Sequence, residues 1–154
     1  MSNIESNSLE KQNKTTKLNI WSISKEELAH EWIDLDKSKR NRNLRQGDVV
    51  FCELGENLGY EINKPRPVLV VSDTRYSTQG QFVGIPLTKN NTRRIMATHY
   101  TLYKSKYSFL RYDSCVKTEQ LKSLSAIRVD QKIGSIDQRD LNSVKIRLNS
   151  LFGM

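Results

Sequence analysis

The stretch Gly59-Tyr60-Glu61-Ile62-Asn63-Lys64-Pro65-Arg66-Pro67-Val68-Leu69-Val70-Val71-Ser72 constrains this chain more than any other. Its apolar, valine-rich second half predicts a buried strand over Pro67–Ser72. Each proline fixes its own φ and pushes the residue before it toward extended geometry. Arg66, caught between Pro65 and Pro67, therefore has little backbone freedom and is presented at the mouth of a core strand. A guanidinium held there, beside a loop carrying Glu61 and Lys64, suits an anion, because arginine forks onto phosphate oxygens. An exposed arginine at a strand start fits the same residues.

The chain has 154 residues, enough for one compact domain with an appendage. Its formal charge of +8 and pI near 9.6 favour an acidic partner: nucleic acid, an anionic protein segment or a membrane surface. No apolar run has the length of a membrane span, and the first residues, MSNIESNSLEKQNK, lack the apolar segment of a secretory signal. Cys52 and Cys115 lie far apart in strand-like contexts, so two reduced thiols in a cytoplasmic protein are expected. With His30 and His99 they show no ligand spacing, so neither a metal site nor a cofactor is expected.

Residues 1–17 are Ser, Asn, Lys and Glu with almost nothing apolar, and read as a disordered tail. Residues 18–44 read as an extension with one helix and a basic linker. Ser24 and Glu27 fit a capping box, with Ile23 and Leu28 as its staple. Leu28, Trp32 and Leu35 then share a helical face. Trp21 and Trp32 imply docking, onto the main domain or onto a partner. Lys37 to Arg45, KSKRNRNLR, is either a solvated linker or an arm attracted to RNA.

The globular part spans residues 45–154. Strands are predicted over Asp48–Leu54, Pro67–Ser72, Gln81–Thr88 and Ala97–Tyr103. One or two more fall in Ser114–Leu121 and Ser125–Val129, and Lys132–Ile136 ends the sheet. Pro86 marks an edge or a bulge. Asp137 caps a C-terminal helix whose stripe is Leu141, Val144, Leu148 and Leu151. Short strands with turn signals, closed by one amphipathic helix, predict a mainly β fold with α elements (α+β), a small β-barrel rather than a parallel α/β sheet.

Four segments in order narrow the reading. Gly47-Asp48-Val49-Val50 opens the domain, and Gly59-Tyr60-Glu61 leads into Pro65-Arg66-Pro67-Val68-Leu69-Val70-Val71. Ile85-Pro86-Leu87-Thr88 follows, and after Asp113-Ser114-Cys115-Val116 comes Glu119-Gln120-Leu121-Lys122-Ser123-Leu124. This arrangement, from about Arg45 to Phe152, resembles the MazF/PemK toxins of type II toxin–antitoxin modules. The resemblance implies an SH3-like barrel with a C-terminal helix, a homodimer, and metal-independent cleavage of single-stranded RNA that leaves a 2′,3′-cyclic phosphate and a 5′-hydroxyl. It further implies neutralisation by a cognate antitoxin with an acidic, flexible tail.

Position by position, the resemblance gives Arg66 and Thr88 as the catalytic pair and Glu61 as the loop acid. The flanking residues Tyr60, Lys64, Lys89, Gln120 and Lys122 become the expected RNA contacts. One departure is Asn63-Lys64-Pro65, where many members carry glycines, a difference that bears on the preferred RNA sequence. The residue types suit the chemistry. As the ribose 2′-hydroxyl attacks its own phosphate, charge builds on the non-bridging oxygens, and a guanidinium with a hydroxyl donor stabilises it there. Arg66 is a poor base, since its pKa stays far above neutral. Glu61 fits the base, a loop-shaping role or an RNA contact. His99 has a suitable intrinsic pKa but sits mid-strand, where packing is the commoner use. Tyr60, Tyr76 and Phe82 fit base stacking or ordinary packing. Two other functions stay open: a non-enzymatic toxin like the gyrase-binding CcdB proteins, and a barrel that binds RNA without cutting it.

Overall fold

The computed structural model describes residues 2–90 and 96–154. Among the described residues, seven antiparallel strands form the body: β1 (Asp48–Glu53), β2 (Pro65–Val70), β3 (Gln81–Lys89), β4 (His99–Leu102), β5 (Ser114–Lys117), β6 (Lys122–Ser125) and β7 (Val129–Ser135). Their order is β4-β5-β3-β2-β1-β7, with β6 also paired to β3. Two helices flank them, α1 (Asn3–Asp34) and α2 (Gln138–Phe152).

Alternation along the strands builds two cores, one on each face. Val49, Leu69, Ile85 and Leu87 point to one, where Leu141 and Val144 of α2 pack. Val50, Cys52, Val68, Val70 and Phe82 point to the other, joined by Leu44, Leu54, Leu124 and Val129. β3 reaches both halves of the sheet because it changes partner: Gln81–Gly84 pair with β6, and Leu87–Lys89 with β5. Pro86 falls between those two stretches, where its missing N–H is least disruptive.

The C-terminal helix follows its sequence signals. The Asp137 side chain accepts from the Asp140 backbone N–H at 2.9 Å, and Leu141 and Val144 are buried. The N-terminus does not. Where the composition reads as a disordered tail, α1 runs unbroken from Asn3, and Ser24–Glu27 lies inside it. Its capping box is Ser2 with Glu5 instead, each side chain accepting from the other's backbone N–H. Lys, Glu, Gln and Leu in the segment favour helix locally, and composition alone is blind to that.

Trp21 and Trp32 dock on this chain's own body. Each indole sits where the body offers a glycine, Trp21 against Gly55 and Trp32 against Gly80. Arg128 stacks over Trp21 at 5.7 Å and Arg40 over Trp32 at 4.4 Å. The basic run is partly fastened too, since Arg42 Nη1 donates to the Val129 carbonyl at 2.9 Å. Among the described residues, no helix is long and apolar enough to cross a membrane.

Candidate active site

Arg66 and Thr88 lie on neighbouring strands, β2 and β3. Arg66 pairs with Cys52 across β1–β2, and Thr88 with Cys115 across β3–β5. The β2–β3 ladder pairs Val68 with Pro86 and ends there, short of Arg66 and Thr88.

Arg66 is half-buried at the start of β2, and its Nε donates to the Asn63 carbonyl at 2.7 Å. Burial lowers its pKa from the ordinary guanidinium value, with the Tyr112 phenol acting the other way. It lines a cleft of about 430 Å³ together with Lys64, Phe51, Leu87, Arg111 and Tyr112. Lys64, Arg66 and Arg111 give this cleft three cations, and no carboxylate is among its described lining residues. Such a cleft selects an anion, and its aromatic walls suit a base.

Thr88 stands just outside the lining, next to Leu87. Its hydroxyl is buried and, among the described residues, has no hydrogen-bond partner. An orphaned hydroxyl in a sheet is costly unless it has a use. Lys89 is exposed and reaches over the Tyr112 ring at 5.7 Å, on the rim of the same region.

The other predicted residues separate into two groups. Tyr60 is 98% exposed at the tip of the loop between β1 and β2, and Glu61 beside it is exposed as well. Lys122 lies near Glu61: burial lowers the lysine's pKa, and the Glu61 charge opposes that. Gln120 has a different occupation. Its Oε1 accepts from the Ile62 N–H at 3.2 Å, and its Nε2 donates to the Tyr60 carbonyl at 3.0 Å. It clamps the loop from below and has little left to offer a ligand.

His99 is buried, with Nε2 2.6 Å from Glu119 Oε1. That pairing gives the histidine a structural partner in the short 3-10 turn Thr118–Gln120. Phe82 is buried in the core and Tyr76 is exposed, neither lining the cleft. Cys52 and Cys115 are free and buried, and burial pushes the Cys52 thiol up to about 12. Among the described residues, no three His, Cys, Asp or Glu side chains cluster as a metal-ion site requires.

The sequence does not single out Arg111 and Tyr112. They come from the irregular segment between β4 and β5, where the one local signal is that a basic residue adjoins an aromatic one. What brings that segment to the cleft is Gly134 of β7, against which the Phe109 ring lies in the space a Cβ would occupy. Phe109 also packs on Tyr107, with ring centroids 5.6 Å apart.

The chain and its antiparallel sheet match known proteins. Residues 45–152 match the PemK-like, MazF-like toxins of type II toxin–antitoxin systems, and the chain belongs to that family. Among curated relatives, it is 26% identical over 112 residues to endoribonuclease MazF of Staphylococcus saprophyticus, covering 72% of this chain and 92% of the relative. It is 29% identical over 104 residues to endoribonuclease EndoA of Bacillus subtilis, covering 66% and 87%. The fold is shared with MazF of Deinococcus radiodurans, at a TM-score of 0.62 and 23% identity over 74% of this chain and 100% of that one. A mycobacterial endoribonuclease in complex with its cognate antitoxin superimposes at a TM-score of 0.55 and 22% identity, covering 72% and 96%. The long helix α1 precedes the family match.

Proposed function

We propose that this toxin is a sequence-specific endoribonuclease that cuts single-stranded RNA, including mRNA, without a metal ion, leaving a 2′,3′-cyclic phosphate and a 5′-hydroxyl. The observation that carries the reading is the cleft holding Arg66 with Lys64 and Arg111 and no acid among its described lining residues. It supports binding of a phosphodiester beside a guanidinium whose Nε is already fixed by Asn63. The names of the curated relatives support the reaction class and favour it over a gyrase-binding role.

In the proposed reaction the ribose 2′-oxygen forms a bond to the adjacent phosphorus while the bond to the 5′-oxygen breaks. The 2′-hydroxyl loses its proton to a base that the described cleft lining does not supply, with Glu61 of the adjoining loop the candidate, and the departing 5′-oxygen receives one, with Arg66 the donor or the stabiliser of the charge there. Arg66 and the unpartnered Thr88 hydroxyl neutralise the phosphoryl oxygens as charge develops. Tyr60 stacks a base, and Lys64, Lys89 and Lys122 bind phosphates. The active unit is a homodimer in the cytoplasm, and the neutralising partner is an antitoxin with an acidic, flexible tail that occupies the cationic cleft. Structural neighbours in complex with antitoxins support such a partner.

Incubation of the purified protein with a long single-stranded RNA in EDTA tests this directly. The parent should cut at a short motif, and Arg66→Ala should lose about a hundredfold or more in rate with its circular dichroism unchanged, the usual cost of removing a transition-state donor. Undiminished cutting by a folded Arg66→Ala protein overturns the assignment.

A further inference from the structure

We propose that α1 is a built-in brace for the Arg66 loop, with Lys14 and Trp21 as positioning residues for the site. This rests on the endoribonuclease reading for its catalytic consequence, though not for the brace itself. The loop from Leu54 to Lys64 has no regular structure and exposes Leu58 and Tyr60 at its tip. A free loop of that length samples many conformations, and Arg66 hangs from it through Asn63. α1 seizes the other end. The Lys14 ammonium is 2.6 Å from Glu56 Oε1 and also donates to the Asn57 carbonyl. The Glu56 side chain is only 11% exposed, so this ion pair is better shielded than an ordinary surface pair.

About two turns further along the helix, Trp21 lies on Gly55, which has φ +76°. Any side chain at 55 would displace the indole, and the left-handed backbone there favours glycine for a second reason. From these two anchors the hydrogen bonds lead inward. Gly55 O accepts from the Lys64 N–H at 2.8 Å, and Asn57 N donates to Asn63 Oδ1 at 2.5 Å. Asn57 Nδ2 donates to the Ile62 carbonyl at 2.8 Å, and Asn63 O receives Arg66 Nε. The helix thus removes freedom from the segment that aims the guanidinium, and a donor aimed in advance needs no reorganisation during the reaction.

The test uses the full chain with Lys14→Met, Lys14→Arg and Trp21→Ala, read by amide hydrogen exchange and by cleavage kinetics. Lys14→Met and Trp21→Ala should speed exchange at the Asn57 and Lys64 amides about tenfold, the scale of one charge-assisted contact, leaving the β1–β2 ladder unchanged. The kcat for RNA should fall about tenfold with KM moving less than about threefold, and Lys14→Arg should restore both readouts. Unchanged exchange at those amides overturns the brace. Faster exchange with kcat equal to or above the parent's overturns it as a positioning device and makes the helix a cover instead. A parent that cuts no RNA counts against the endoribonuclease reading alone, and exchange then decides the brace by itself.

Discussion

The Thr88 hydroxyl is buried without a partner among the described residues, while its strand neighbour Leu87 is apolar and packed in the core. Leaving a buried hydroxyl unpaired costs about 1–3 kcal/mol, so the position gives up stability for whatever the hydroxyl does. Thr88→Val keeps the shape and removes that cost. Its urea midpoint should equal or exceed the parent's, while RNA cutting drops about a hundredfold. A lowered midpoint with intact cutting would make Thr88 a structural residue. The placement of Arg66 at a strand mouth is legible in the sequence itself, because two prolines leave local marks there, while Thr88 is pointed to by the resemblance alone. Gln120 is legible only as a site neighbour: its two partners are backbone atoms of Tyr60 and Ile62, far back in the chain, and no local pattern encodes them. Arg111 and Tyr112 escape sequence reasoning for a similar reason, since a tertiary contact at Gly134, not a strand, carries them to the cleft.

The N-terminal turn of α2 is tied to the sheet by a charged knot. Lys106 Nζ lies 2.6 Å from Asp137 and 2.9 Å from Asp140. The phenols of Tyr100 and Tyr107 both donate to Asp140. Burial alone would raise Asp140, but the bonds from Lys106, Tyr100 and Tyr107 outweigh it and hold the carboxyl below its ordinary 3.8. The bond from Lys106, and the Asp140 backbone N–H after it, lower Asp137 likewise. Folded values below the unfolded ones mean stabilisation present above about pH 4 and lost as pH falls through the folded values. Burial first, and Asp140 second, push Tyr107 up to about 12. The contribution of its protonated form is therefore full below about pH 10 and disappears as pH rises through 12. Urea unfolding of the parent should show an acid loss of stability below about pH 4 that is smaller in Asp140→Asn, because the variant has one carboxylate fewer to protonate. Equal acid slopes in the two proteins would remove Asp140 from the account. Helix α2 is readable from its cap and stripe. The start of α1 is not, since a tail judged on polarity hides the Ser2–Glu5 box that sets its first turn. Likewise Ala126–Arg128 forms a short 3-10 turn, and β7 begins at Val129 instead of Lys132, because pairing with β1 extends it.

For the molecule as a whole, a formal charge of +8 and a cationic cleft set the response to salt. If Lys64, Arg66, Lys89, Arg111 and Lys122 each neutralise one phosphate, binding to a short RNA made uncleavable by 2′-O-methyl groups should fall with log salt at a slope of about −3.5. Arg111→Gln should make that slope shallower by about 0.7, at every RNA sequence alike. A slope that Arg111→Gln leaves unchanged would place the RNA elsewhere on the surface. Two-sided burial of the sheet is foreseeable from strands such as Val68–Val71, apolar on both faces. The cleft itself is not, because it arises where five separated stretches of the chain meet.

Gly134 meets no residue of the proposed catalytic pair and belongs to the strand farthest along the sheet from β4, yet the Phe109 ring occupies the room its missing side chain leaves. Even a methyl group there would evict the ring and drag Arg111 and Tyr112 out of line. Mutational tolerance at this remote backbone position should accordingly track nuclease output more closely than surface chemistry does, and an active-site survey confined to substrate contacts would overlook it.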